Sequence, residues 1–166
     1  MPSRRHLLLA GAAACLVPRR LRGAEPAVEI VMQGSGGGAH VWFDPVGVLV
    51  RPGQTVRWTN REAGNVHTTT AYHPANSGRP LRIPAAADPW DSDYLMPGES
   101  FEVVLGEAGV YDYYCVPHEH AGMVGRIVVG EPAPGWGDPS EGDLPEVALE
   151  AFPSVDAILR QGAVRR

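Results

Sequence analysis

The residues best equipped for chemistry fall in one short stretch, Cys115-Val116-Pro117-His118-Glu119-His120-Ala121-Gly122-Met123. It offers a thiol, an imidazole three residues later and a thioether eight residues after the Cys. Pro117 fixes φ and has no backbone donor, so the chain is expected to turn there. Gly122 lets the loop fold back and bring Met123 toward the same point. One more nitrogen would complete a site, and His67 is the candidate. It follows the stretch Thr55 to Asn60 after a short loop. Two imidazoles, one thiolate and a weak axial thioether form the donor set of a type 1 (blue) copper centre. The soft sulfurs favour Cu(I) and the imidazoles also suit Cu(II), so such a site needs little rearrangement when one electron arrives or leaves. Cys-x-x-His could instead be half of a zinc site, but zinc prefers four strong ligands and a second Cys is missing. His67, Cys115, His118 and Met123 are the expected ligands of one copper per chain.

Three other histidines, His40, His73 and His120, stand outside this set. His118-Glu119-His120 is an H-x-H pattern, as in multicopper oxidases. By analogy with those oxidases, a trinuclear cluster would need more histidines than the 6 of this chain. A binuclear purple site would need two Cys in the ligand loop, which has only Cys115. The spare histidines are read as surface or supporting residues.

The elements that must hold these donors read as strands. Val28 to Met32 and Val46 to Val50 are apolar and β-rich, and the second stops at Pro52-Gly53. Thr55 to Thr59 alternates as T-V-R-W-T, and Thr-rich His67 to Tyr72 reads as a further strand. Phe101 to Leu105 follows the turn Pro97-Gly98, Val110 to Cys115 follows Gly109, and Val124 to Val129 closes the set. Side chains alternate along a strand, so Tyr111, Tyr113 and Cys115 share one face and Asp112 takes the other, more open one. Short strands with turn signals between them predict an all-β, antiparallel sandwich. Residues 73–97 read as a long loop rich in Pro, Ala and Asp, a length that often marks function. After residue 130 the text changes to a Pro/Gly-rich linker and tail. There Ser154 precedes Val155-Asp156-Ala157-Ile158-Leu159, a capped short helix ending at Gly162. The tail is read first as a strap on the sandwich and second as a partner-docking segment.

The first residues belong to a different class. Met1 to Leu9 is basic, and the apolar run Leu7 to Val17 is shorter than the roughly 20 residues that span a bilayer. Ser3-Arg4-Arg5-His6-Leu7-Leu8 resembles a twin-arginine export signal. The expected organisation is an export signal over 1–24, a copper-binding domain over 25–130 and a tail over 131–166. Membrane association is expected only through a lipidated Cys15 or an uncleaved signal. Removing residues 1–24 takes five of the 14 Arg and no acid, leaving 9 basic against 19 acidic residues, a net charge of −10. So acidic a domain does not bind nucleic acid, and it steers toward a basic partner surface. Without Cys15, Cys115 is the one thiol left. In an oxidising compartment it is a liability unless a metal occupies it.

Roughly residues 40–130 resemble the cupredoxins, in particular the plastocyanin, pseudoazurin and halocyanin group. The resemblance is carried by Phe43-Asp44-Pro45, by Val50 through Asn60, by His67-Thr68 and by Met96-Pro97-Gly98-Glu99-Ser100-Phe101. Its strongest block is Gly109 through His118 with Gly122-Met123. The resemblance implies an eight-stranded Greek-key sandwich with copper near one end, bound at His67, Cys115, His118 and Met123. It also implies an exported electron carrier, not an enzyme, that passes single electrons between redox proteins through the solvent edge of His118. A basic cytochrome-type partner fits the charge. Two other functions compete with it. One is a copper carrier or store that does not cycle its redox state. The other is an accessory domain of a nitrite-reductase-type enzyme, with His40, His73 and His120 holding a second copper across an interface. Export is testable at once. Replacing Arg4 and Arg5 together by Lys is expected to leave precursor in the cytoplasm, measured by cell fractionation; normal export of that variant would assign the chain to the general secretory route.

Overall fold

The computed structural model describes residues 25–131 and 144–166. Nine strands form two facing sheets: β1 (Val28–Ser35), β2 (His40–Asp44), β3 (Gly47–Val50), β4 (Gln54–Asn60), β5 (Thr70–Ala71), β6 (Ser100–Leu105), β7 (Gly109–Tyr114), β8 (Val124–Val129) and β9 (Ala163–Val164). One sheet runs β2-β1-β4-β6 and the other β5-β7-β8-β3-β9. Neighbours are antiparallel except β1 with β4 and β3 with β8. The chain is thus the expected all-β Greek-key sandwich with a short helix in its tail. The expected strand over 67–72 contracts to β5. His67 instead makes a single bridge to Leu95, with N–H···O distances of 3.2 and 2.8 Å.

Alternation explains the first sheet. On β1 and β4, Ile30, Met32, Val56 and Trp58 point inward and are fully buried. They meet Val50, Tyr111, Tyr113 and Ile127 of the second sheet in one core. Trp58 packs edge-on against Tyr113, with ring centroids 5.3 Å apart. Tyr113 lies over Gly125, its cross-strand partner, where a Cβ would collide with the phenol ring.

The second sheet is covered on both faces, and here the alternation argument fails for Asp112. All residues of β7 and β8 are buried. The outer face is roofed by the segment around Arg82 and by the tail, with helices α1 (Glu146–Ala151) and α2 (Val155–Gln161). Tyr72, Tyr114 and Val124 pack on Leu144 and Ala148, while Val110 and Val128 pack on Val155 and Ile158. Gly47 leaves room for Pro153 and Ile158. Ser154 caps α2 through Ala157 N–H at 3.2 Å, as its sequence indicates, and β9 then pairs with β3. Asp112 is therefore fully buried, not open as expected. It accepts from Arg126 Nε at 2.7 Å and from Arg82 Nε at 3.0 Å. Removing one member of such a buried cluster leaves charge uncompensated, which costs about 3–5 kcal/mol. Asp112→Ala is expected to lower unfolding free energy by about that much in urea titrations.

Candidate metal centre

Cys115 follows β7 directly and caps a 3₁₀ turn, Val116–Ala121, with Pro117 in its first positions. Gly122 ends the turn in the left-handed region at φ 76°, where a side chain would be strained. The loop closes on itself: Cys115 N–H donates to Met123 O at 3.0 Å and Met123 N–H to His118 O at 3.1 Å. This returns the backbone of Met123 to the strand end that carries Cys115. His67 reaches the same place from the other side of the sandwich end. Cys115 Sγ lies 3.3 Å from His118 Nδ1 and 3.6 Å from His67 Nδ1. One donor atom from each of these residues falls within 4.8 Å of the others. The two imidazoles are tilted by 53° with centroids 4.9 Å apart, so they converge without stacking. His67, Cys115 and Met123 are fully buried, and His118 is half-buried. Thiol and two imidazole nitrogens facing one point match the donor set of a type 1 copper site.

Residues that sequence reasoning missed hold this arrangement. Thr68 N–H donates to Cys115 Sγ at 3.3 Å, and Val116 N–H donates to Thr68 Oγ1 at 2.9 Å. Glu62 Oε2 lies 2.7 Å from His67 Nε2. The 73–97 loop returns alongside residues 67–71, where Ala71 N–H donates to Trp90 O at 2.9 Å and Thr69 N–H to Ser92 Oγ at 2.9 Å. A position between two histidines in an exposed loop suggests a charged rim, yet Glu119 is 5% exposed. Its carboxylate is paired with Arg79 and accepts from Tyr72 Oη at 2.7 Å. The long loop thereby clamps the ligand turn from behind. Among the described residues one group of three His, Cys or acidic side chains has metal-holding spacing, and none of His40, His73 and His120 belongs to it. His73 Nδ1 accepts from Ala75 N–H at 3.1 Å, and His40 and His120 are exposed.

Residues 29–130 match the copper binding proteins of the plastocyanin/azurin family. The chain belongs to that family. It is 41% identical over 100 residues to chloroplastic plastocyanin from Tetradesmus obliquus, covering 60% of this chain and 65% of that protein. It is 36% identical over 126 residues to chloroplastic plastocyanin from Oryza sativa subsp. indica, covering 72% and 75%. Among solved structures, a pseudoazurin from Sinorhizobium meliltoi superposes with a TM-score of 0.57 at 26% identity, over 82% of this chain and 98% of that one. Copper is accordingly the cofactor of this cupredoxin, and the His67, Cys115 and His118 cluster fits it. Plastocyanin- and pseudoazurin-type cupredoxins are electron carriers, not enzymes, and this chain spans 65% of the first of these plastocyanins.

The electrostatics of the cupredoxin pocket favour neutral donors until a cation arrives. Burial pushes the Cys115 thiol up to about 12, with partial relief from hydrogen bonds of Thr68. Burial holds both imidazoles below their usual range, with His67 adding to the effect at His118 and Glu62 opposing it at His67. Below the ordinary imidazole value of 6.5 the unfolded metal-free chain binds protons that folded His67 and His118 refuse. Its stability falls as pH drops. Above 9.0 the unfolded thiol ionises while folded Cys115 keeps its proton to about 12, so stability falls again as pH rises. Urea midpoints of metal-free protein should therefore show a plateau between these limits. Cys115→Ser should remove the part of the alkaline limb that starts near 9.0, leaving the acid limb and the part that the buried tyrosines contribute above about 10.

Proposed function

We propose that this cupredoxin carries single electrons between extracytoplasmic redox proteins, using one type 1 copper bound by His67, Cys115, His118 and Met123. The observation that carries the reading is the convergence of Cys115 Sγ and two imidazole Nδ1 atoms, with Cys115 and His67 fully buried and His118 half-buried. Copper bound there would alternate between Cu(I) and Cu(II) without changing partners. The protein's part is to hold the donors still. Thr68 orients the sulfur, the bridge to Leu95 fixes His67, and the 3₁₀ turn fixes His118. Rigid, pre-positioned donors keep the rearrangement on electron exchange small.

His118 is the ligand nearest solvent, and its turn exposes apolar residues beside His120. Val116 is 44% exposed, and Pro117 and Ala121 are exposed. Tyr94 and Met96, 58% and 53% exposed, flank Leu95, the strand partner of His67. A partner can approach such a surface without stripping water from charges. The acidic balance of the chain outside residues 1–24 would draw in a basic, cytochrome-type partner from a distance. The family membership and the export-like residues at the start support an extracytoplasmic setting.

Purified protein is expected to take up one copper per chain, to show an intense visible charge-transfer band and to give a reversible one-electron wave. Cys115→Ser should lose the band while keeping its far-UV circular dichroism. A visible band that survives in Cys115→Ser would overturn the ligand assignment, and copper uptake without a reversible wave would favour a store over a carrier.

A further inference from the structure

We propose that Glu62 is the positioning residue for His67, and that together with the gap left by Gly34 it lowers the reduction potential of the site. This rests on reading His67 as a copper ligand. The Glu62 side chain is 8% exposed and that of His67 is fully buried. Oε2 of Glu62 lies 2.7 Å from His67 Nε2, a distance for a strong, charge-assisted hydrogen bond. An imidazole that donates through Nε2–H keeps its lone pair on Nδ1. Nδ1 is the atom facing Cys115 Sγ. Glu62 thus selects the tautomer and the ring orientation that a metal at this point requires.

The carboxylate is itself held from three sides. Asn65 Nδ2 donates to the same oxygen at 3.2 Å. Glu62 N–H donates to Asn60 Oδ1 at 2.9 Å. Asn60 Nδ2 donates to Asn65 O and Leu95 O, both at 2.9 Å, tying the turn to the residue that bridges His67. The third side is the β1 strand. A Cβ built on Gly34 would fall inside the Glu62 carboxylate, although the backbone there is ordinary strand. Gly34 is therefore a gap that this acid fills, and any side chain at 34 would evict it.

A carboxylate differs from a neutral acceptor in this role. In a dry pocket its negative charge is poorly screened. It makes the imidazole a stronger donor and favours Cu(II), the more highly charged state. Among the described residues His118 has no carboxylate bonded to its ring, so the two imidazoles are not equivalent electronically.

The test uses copper-loaded full-length protein. Glu62→Gln keeps the shape and an acceptor oxygen but removes the charge. It is expected to bind one copper, to keep the visible band and to raise the midpoint potential. A tenfold shift in the Cu(II)/Cu(I) affinity ratio corresponds to about 59 mV for one electron. Gly34→Ala, made on a different strand, should raise the potential in the same direction by displacing the carboxylate. In a Glu62→Ala background it should add nothing. Nitrogen-15 spectra of the Cu(I) form give a second readout, because the slowly exchanging His67 Nε2–H should vanish in Glu62→Ala. A fully loaded, coloured Glu62→Gln protein with the parent midpoint would overturn the role of Glu62. A parent protein with no copper band would instead overturn the ligand reading on which it rests.

Discussion

A buried sulfur facing two imidazole nitrogens, one on a fully buried ring and one on a half-buried ring, is the constraint around which this end of the sandwich is organised. Three lone-pair-bearing atoms within 4.8 Å of one another, screened from water, gain little from each other as neutral groups. Taking polar groups out of water costs free energy unless they are satisfied. A cation between them changes that balance, because it converts the thiol to a thiolate and satisfies both rings at once. The surrounding structure holds the atoms in place before the cation arrives. Thr68 fastens both Cys115 and Val116, and Leu95 fastens His67.

The second sheet shows how much support lies outside the sandwich itself. A sheet with one face to solvent would read polar on alternate residues, but β7 and β8 are buried throughout. The roof is made of the segment near Arg82 and the tail. Arg126 joins the two: it pairs with Asp112, donates to Pro153 O at 3.0 Å and lies over the Phe152 ring. Farther along, Val147 and Ala151 of α1 pack against Gly122 at the end of the ligand turn. Arg79 and Tyr72 hold Glu119 within the turn. The turn is therefore gripped by segments lying before and after it in sequence.

What the sequence revealed was local. The donors of the ligand turn are contiguous, so their types and spacing carry the chemistry directly. Thr55 to Thr59 shows its inward and outward faces by alternation, and α2 announces itself through Ser154 and Gly162. Contacts between distant segments left no such mark. Glu119 reads as a solvent charge until Arg79, on another loop, comes to meet it. Asp112 reads as an open face because alternation says nothing about a roof arriving from residues 144–161. The Thr-rich run after His67 has strand composition, but residues 90–95 supply much of its pairing and only Thr70–Ala71 remains a strand. α1 begins after Pro145 with no capping side chain, so its start carried little signal. Glu62 could have been suspected only as an acid a few residues before a candidate ligand, which is a common coincidence.

The depth of Cys115 also bears on the life of the chain before copper reaches it. Oxidants and other thiols attack the thiolate, and they must touch the sulfur to do so. Here the sulfur is fully buried, and its proton is held to about pH 12 in the metal-free fold. Sulfenic acid formation and mixed disulfides are both slowed by these two facts together. Two folded copies cannot bring their sulfurs into contact without opening the ligand turn. The same packing that shapes the candidate metal centre thus gives a newly folded chain a shelf life before any metal reaches it.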